Sequence, residues 1–105
     1  MKKLYLDDIR FPRTQGWSVV RSYEEFVDWI NTNGIPNLVS FDHDLGVDEN
    51  GNELKSGYDA AKWLCNYCLD NGLPLPECNV HSANPVGAQN IRQLISSFEK
   101  KFNTF

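Results

Sequence analysis

Ser40-Phe41-Asp42-His43-Asp44-Leu45 sets two carboxylates and an imidazole side by side at the end of an apolar run. Asp7-Asp8 closes the first apolar run of the chain, and His81-Ser82 closes another. Asp7, Asp8 and Asp42, if brought together, repel one another and their pKa values rise. A hard divalent cation removes that conflict. Mg²⁺ takes one or two carboxylates together with waters and phosphate oxygens, and Mn²⁺ is a second candidate. His43 and His81 are the only histidines. Near a phosphate, one could activate water while the other protonates a leaving oxygen. Arg10 or Arg21 could clamp phosphoryl oxygens bidentately. Ser82 and Asn84 stand just before a helix start, where free N–H groups favour anions.

Each residue also has a plainer reading. Asp commonly opens turns, and Asn84 is explained by helix capping alone. Arg21 is best read as a solvated charge. His81 follows Val80 and could be a half-buried strand residue, and His43 could be an exposed loop residue. The recurrence of these groups at successive strand ends is what favours a metal or phosphate site.

Those strand ends must be positioned by a regular scaffold. Leu4-Tyr5-Leu6 reads as a strand covered on both faces, as in a parallel sheet. Arg10 to Gly16 is a loop broken by Pro12 and Gly16, and Trp17 to Arg21 is a second strand. Ser22-Tyr23-Glu24-Glu25 is a capping box opening a helix from Tyr23 to Asn33, stopped by Gly34. Leu38 to Phe41 is a third strand. Asp42 to Lys55 is a polar loop in which Asn50-Gly51 marks a hairpin tip. Ser56 to Asp59 repeats the capping-box pattern. Ala61, Leu64, Cys65 and Cys68 then form the buried stripe of a second helix ending near Asn71-Gly72. Leu73 to Pro76 is a rigid connector, and Glu77 to Ser82 a fourth strand. Asn84-Pro85 opens a last helix whose core face is Ile91, Leu94, Ile95, Phe98 and Phe102. Such alternation predicts an α/β sheet with helices on its faces, where ligands bind outside the carboxyl ends of the strands.

The totals agree with one domain spanning 1–105. A net charge of −4 disfavours a long duplex and leaves room for a small phosphorylated ligand. No signal-like or membrane-length apolar run occurs, and three cysteines imply no closed disulfide framework. The expectation is a cytoplasmic protein that binds neither duplex DNA nor membrane. Cys65 and Cys68 have metal-site spacing, but Cys78 is the only other thiol. Asp48 to Asn52 has alternating oxygens, yet Glu53 stands where a calcium loop needs Gly. Tyr58, Trp63 and Tyr67 read as helix packing.

Two acids after strand one, an acid after strand three and a hydroxyl after strand four resemble the receiver domain of two-component signalling. By that likeness Asp7, Asp8 and Asp42 form the Mg²⁺-binding triad, with Asp42 the phosphoacceptor and Ser82 the hydroxyl. This chain has no place for the fifth strand and its lysine, and the Arg10–Gly16 loop replaces the first helix. A closer resemblance is to the divergent receiver-like family proposed to process cyclic phosphates. It rests on Leu6-Asp7-Asp8-Ile9-Arg10-Phe11-Pro12, Val20-Arg21-Ser22-Tyr23-Glu24-Glu25-Phe26, Ser40-Phe41-Asp42-His43-Asp44-Leu45-Gly46 and Val80-His81-Ser82-Ala83-Asn84-Pro85. The resemblance implies a flavodoxin-like, mainly parallel sheet of about four strands with three flanking helices. It also implies substrates that are nucleotides or RNA ends bearing cyclic phosphate. The expected activity is that of a small metal-dependent phosphoesterase. Asp7, Asp8 and Asp42 hold the cation, and His43 and His81 transfer protons. Asp44 is a ligand or an orienter of histidine, while Arg10, Ser82 and Asn84 take the phosphate. The alternatives are a module that captures the same ligand without chemistry, and a divergent phosphoacceptor.

Overall fold

The computed structural model describes residues 1–102. Its elements run β1 (Lys3–Leu6), β2 (Trp17–Val20), α1 (Tyr23–Asn33), β3 (Leu38–Phe41), α2 (Gly57–Asn71), β4 (Glu77–Val80) and α3 (Pro85–Phe102). The four strands pair in parallel in the order β2-β1-β3-β4. The expected receiver-like sheet of four strands with three helices is therefore present. The neighbouring strands β1, β3 and β4 end together, with Leu6 opposite Phe41 and Phe41 opposite Val80. Asp7, Asp42 and His81 thus leave the sheet side by side.

Side chains alternate across a strand. The register puts Leu4, Leu6, Val39, Phe41, Cys78 and Val80 on one face, and Tyr5, Ser40 and Asn79 on the other. The first face enters one hydrophobic cluster with Phe26 and Ile30 of α1, Leu64, Cys65 and Cys68 of α2, and Ile91 and Ile95 of α3. All three helices bury their stripes there, so among the described residues the second face carries no helix. This corrects the expectation that helices cover both faces and that Leu4-Tyr5-Leu6 lies between two layers. The physical reason is the connectivity. The β1–β2 connection has no helix, and a single helix follows β4. Tyr5 is instead covered by rings, with Trp17 edge-on at 5.7 Å and His81 stacked at 4.2 Å between centroids.

Local signals account for the element ends. The Ser22 hydroxyl accepts the Glu25 N–H, but the Glu25 carboxylate takes the Arg21 N–H at 3.0 Å and not the Ser22 amide. The box expected at α1 is therefore shifted by one residue on its return arm. At α2 it is complete, with Asp59 and Ser56 exchanging both bonds. The 42–55 loop folds into the expected small hairpin. Val47 bridges Glu53, and Asp48 accepts the N–H groups of Asn50 and Asn52. On α3, Ile91 and Ile95 are buried and Leu94 and Phe98 half-buried. The Phe102 side chain lies outside the described residues.

The start of α2 is pressed onto the strand end that carries the acids. Gly57 donates its N–H to the His43 carbonyl at 2.7 Å, and a Cβ at Gly57 would lie 1.6 Å from the Asp42 carbonyl oxygen. Only glycine permits that backbone approach. Gly57→Ala is expected to destabilise the fold by about 2 kcal/mol or more, because backbone on both sides must move. The shift of the urea unfolding midpoint at constant slope measures it.

Candidate functional site

Asp7 is buried at the carboxyl end of β1, and every acceptor position on it is in use. Its Oδ1 takes the N–H groups of Ile9 and Arg10 at 2.9 and 2.8 Å, folding the chain back into a tight turn. Its Oδ2 takes Arg10 Nε at 2.9 Å and His81 Nε2 at 3.0 Å. Asp42, also buried, receives Arg10 Nη2 at 3.2 Å and the His43 N–H at 2.9 Å, both on Oδ1. Arg10 therefore spans the two buried carboxylates, although its own side chain is 48% exposed.

The electrostatics follow from this arrangement. Burial and the neighbouring Asp7 hold the Asp42 carboxyl above the usual range, against the lowering effects of the His43 N–H, Arg10 and His81. Burial also pushes Asp7 upward, but its hydrogen bonds from Arg10, Ile9 and His81 win, and its pKa falls below the usual value. Burial lowers the His81 pKa against the opposing pull of Asp7. Neutral His81 then donates from Nε2 to Asp7 and accepts the Ser40 hydroxyl at Nδ1, 2.7 Å away.

Asp7, Asp42 and His81 each place a potential ligand atom within 4.8 Å of the others. Two carboxylates and an imidazole suit a divalent cation by donor type. Asp8 is not one of these three, but it lines the same cleft as Asp7 and Asp42. Consecutive residues leaving a strand diverge, and Asp8 turns to the wall of a cleft of about 370 Å³ lined also by Asp42, Asp44, Gly46, Ser82 and Asn84.

The two histidines do not converge on that cleft. His81 is folded back across Ser40 onto Tyr5. His43 donates Nδ1–H to Asp44 at 2.8 Å and lies against the first turn of α3, where a Cβ at Gly87 would sit 2.3 Å from its ring. It lines a separate groove with Ser56, Tyr58 and Asn90. The acid–base pairing of His43 with His81 is thus not provided by the geometry. Asp44 takes the orienting role, and the His43 hydrogen bond holds its pKa low.

Asn84 caps α3 by accepting the Gly87 N–H at 3.0 Å and turns its amide to Asp44. Ser82 accepts the Asn84 N–H on its hydroxyl oxygen at 3.0 Å. Arg21 is no solvated charge. It donates to the carbonyls of Asp7 and Arg10 at 3.0 and 2.7 Å and so braces the turn that carries Arg10. Its position two residues ahead of a predicted helix gave no hint of this. The cysteines stay out of the chemistry, since burial pushes Cys65 up to about 12 and Cys68 up to about 11.

The family model of the cyclic-phosphate processing receiver domain matches residues 2–97. Neither curated protein sequences nor solved structures gave a match to the chain.

Two outcomes are expected. Arg10→Gln leaves Asp7 and Asp42 facing each other, so the Asp42 carboxyl titrates still higher in a ¹³C titration, with about 1 kcal/mol lost because the guanidinium is half in water. The lowered His81 pKa means that the unfolded chain binds its proton first. His81 therefore stabilises the fold above about pH 6.5, and that contribution is lost as pH falls through its folded pKa. Thermal unfolding in the presence of a chelator should fall more steeply from pH 7 to pH 5 in the parent than in His81→Gln.

Proposed function

The chain belongs to the cyclic-phosphate processing receiver family, and from that premise we propose that its rim is a small metal-dependent phosphoesterase acting on cyclic phosphates of nucleotides or RNA ends. The observation that carries the reading is the half-exposed Arg10 held across two buried carboxylates beside His81. Asp7 and Asp42, with Asp8 on the adjoining wall, would hold Mg²⁺ or Mn²⁺. Bound there, the cation supplies positive charge for the oxygens of the phosphoryl group.

The chain's own groups do the rest. Arg10, half exposed, would exchange its carboxylate bonds for the oxygens of a phosphate. Ser82 offers a hydroxyl proton at the start of α3, whose positive dipole end favours an anion. His81, neutral beside Arg10, would act as the base: its Nδ1, released from the Ser40 hydroxyl, would take the proton of the attacking water and leave an imidazolium held by Asp7. His43, oriented by Asp44, keeps Nε2 free and serves from the α2–α3 side. Asn84 fixes Asp44 and the helix start. The net charge of −4 favours a mononucleotide or a short end, in the reducing, cytoplasmic setting that three unpaired thiols suit.

One observation favours a second reading, capture without chemistry. Both ring nitrogens of His81 are already hydrogen-bonded, and His43 lies in another groove. A third, phosphoryl acceptance by Asp42, lacks the fifth strand and lysine of its relatives.

Hydrolysis of 2′,3′-cyclic nucleotides with Mg²⁺ or Mn²⁺ is expected to fall about a hundredfold or more in kcat in Asp42→Ala. Turnover no higher than background, or equal in Asp42→Ala and the parent, removes the hydrolase reading. Tight calorimetric binding with the nucleotide recovered intact installs the capture reading in its place.

A further inference from the structure

The sheet face that carries no helix holds a second cleft, of about 470 Å³, beneath the loop that follows Arg10. That volume lies within the roughly 300–1,000 Å³ typical of small-ligand sites. Tyr5, Phe11 and Trp17 supply its aromatic surface, and Arg10, Arg13, Thr14 and His81 its polar groups. Among the described residues no carboxylate lines it, although the chain as a whole carries −4.

Its rings are held in place. Trp17 donates its indole N–H to Thr14 at 2.9 Å. Phe11 is 73% exposed, yet its ring is backed by the Arg21 guanidinium at 4.4 Å. A large apolar side chain held out in water by a cation on one face presents the rest of the ring to a ligand. Stacking between an aromatic side chain and a base suits such a surface, since every base has a π-face. Arg10 belongs both to this cleft and to the acidic one. A ligand that joins a planar ring to an anion across a few atoms fits this layout.

We propose that the cleft between Phe11 and Trp17 is the base seat of a nucleotide whose phosphate lies at Arg10. This rests on the cyclic-phosphate reading and goes further, because it assigns the base a cleft of its own, apart from the acidic one, and names the side chains that hold it. Stacking alone does not choose among bases, and Arg13 and Thr14 are the lining side chains able to hydrogen-bond a base edge.

The experiment compares adenosine 2′,3′-cyclic phosphate with ribose 2′,3′-cyclic phosphate, which keeps the phosphate and lacks the base. Calorimetry with Mg²⁺ should show the nucleotide binding at least about tenfold more tightly. Phe11→Ala should shrink that preference to below about threefold. Equal affinity for the two, binding of neither, or a preference untouched in Phe11→Ala with Trp17→Leu overturns the seat. The two readings separate in turnover. Hydrolysis of both ligands at equal rates sinks the base seat and leaves the phosphoesterase standing. A base preference with no hydrolysis keeps the seat and removes the enzyme.

Discussion

Two carboxylates at neighbouring strand ends, both nearly out of water, are the constraint around which the molecule is arranged. A parallel register that aligns Leu6 with Phe41 forces Asp7 and Asp42 together. Their repulsion in a poorly solvated place must be met by a cation. Arg10 meets it in the chain as it stands, helped by the backbone N–H groups of Ile9, Arg10 and His43. The turn that aims Arg10 is in turn braced by Arg21 from the end of β2. One electrostatic conflict thus draws in β1, β2, β3 and the residue after β4.

The absence of a helix on one sheet face has a matching effect on the other side of the rim. A two-layer sheet leaves its second face to whatever side chains lie there. Here these are Tyr5, His81 stacked on it and Trp17 edge-on to it, roofed by the connection to β2. The same economy that removes a helix therefore opens an aromatic surface beside the acids. His81 joins the two, with its face on Tyr5 and its edge on Asp7.

Much of this was legible in the chain. Capping serines, stop glycines and helical stripes are local signals, and each of the seven elements lies where those signals put it. The clustering of Asp7, Asp42 and His81 followed from one topological rule about strand ends. What escaped were properties set by distant partners. The alternation in Leu4-Tyr5-Leu6 does not say whether a helix or a ring covers Tyr5. Nothing local to His43 tells that Gly87 leaves a slot for its ring and turns it away from His81. Arg21 and Phe11 reveal their roles only through contacts across the loop.

The hairpin between β3 and α2 carries a consequence for how such a chain can diversify. Its two ends are fixed, one by the buried Leu45 and the other by Gly57 on the His43 carbonyl. Its tip at Asn50-Gly51 is wholly exposed and closes on itself through Asp48. Longer surface loops add little closure entropy. Residues inserted at that tip would lengthen an appendage while leaving the acids where they are. Relatives could thus acquire new recognition beside an unchanged rim, with the acids and the later embellishment encoded in separate stretches of sequence.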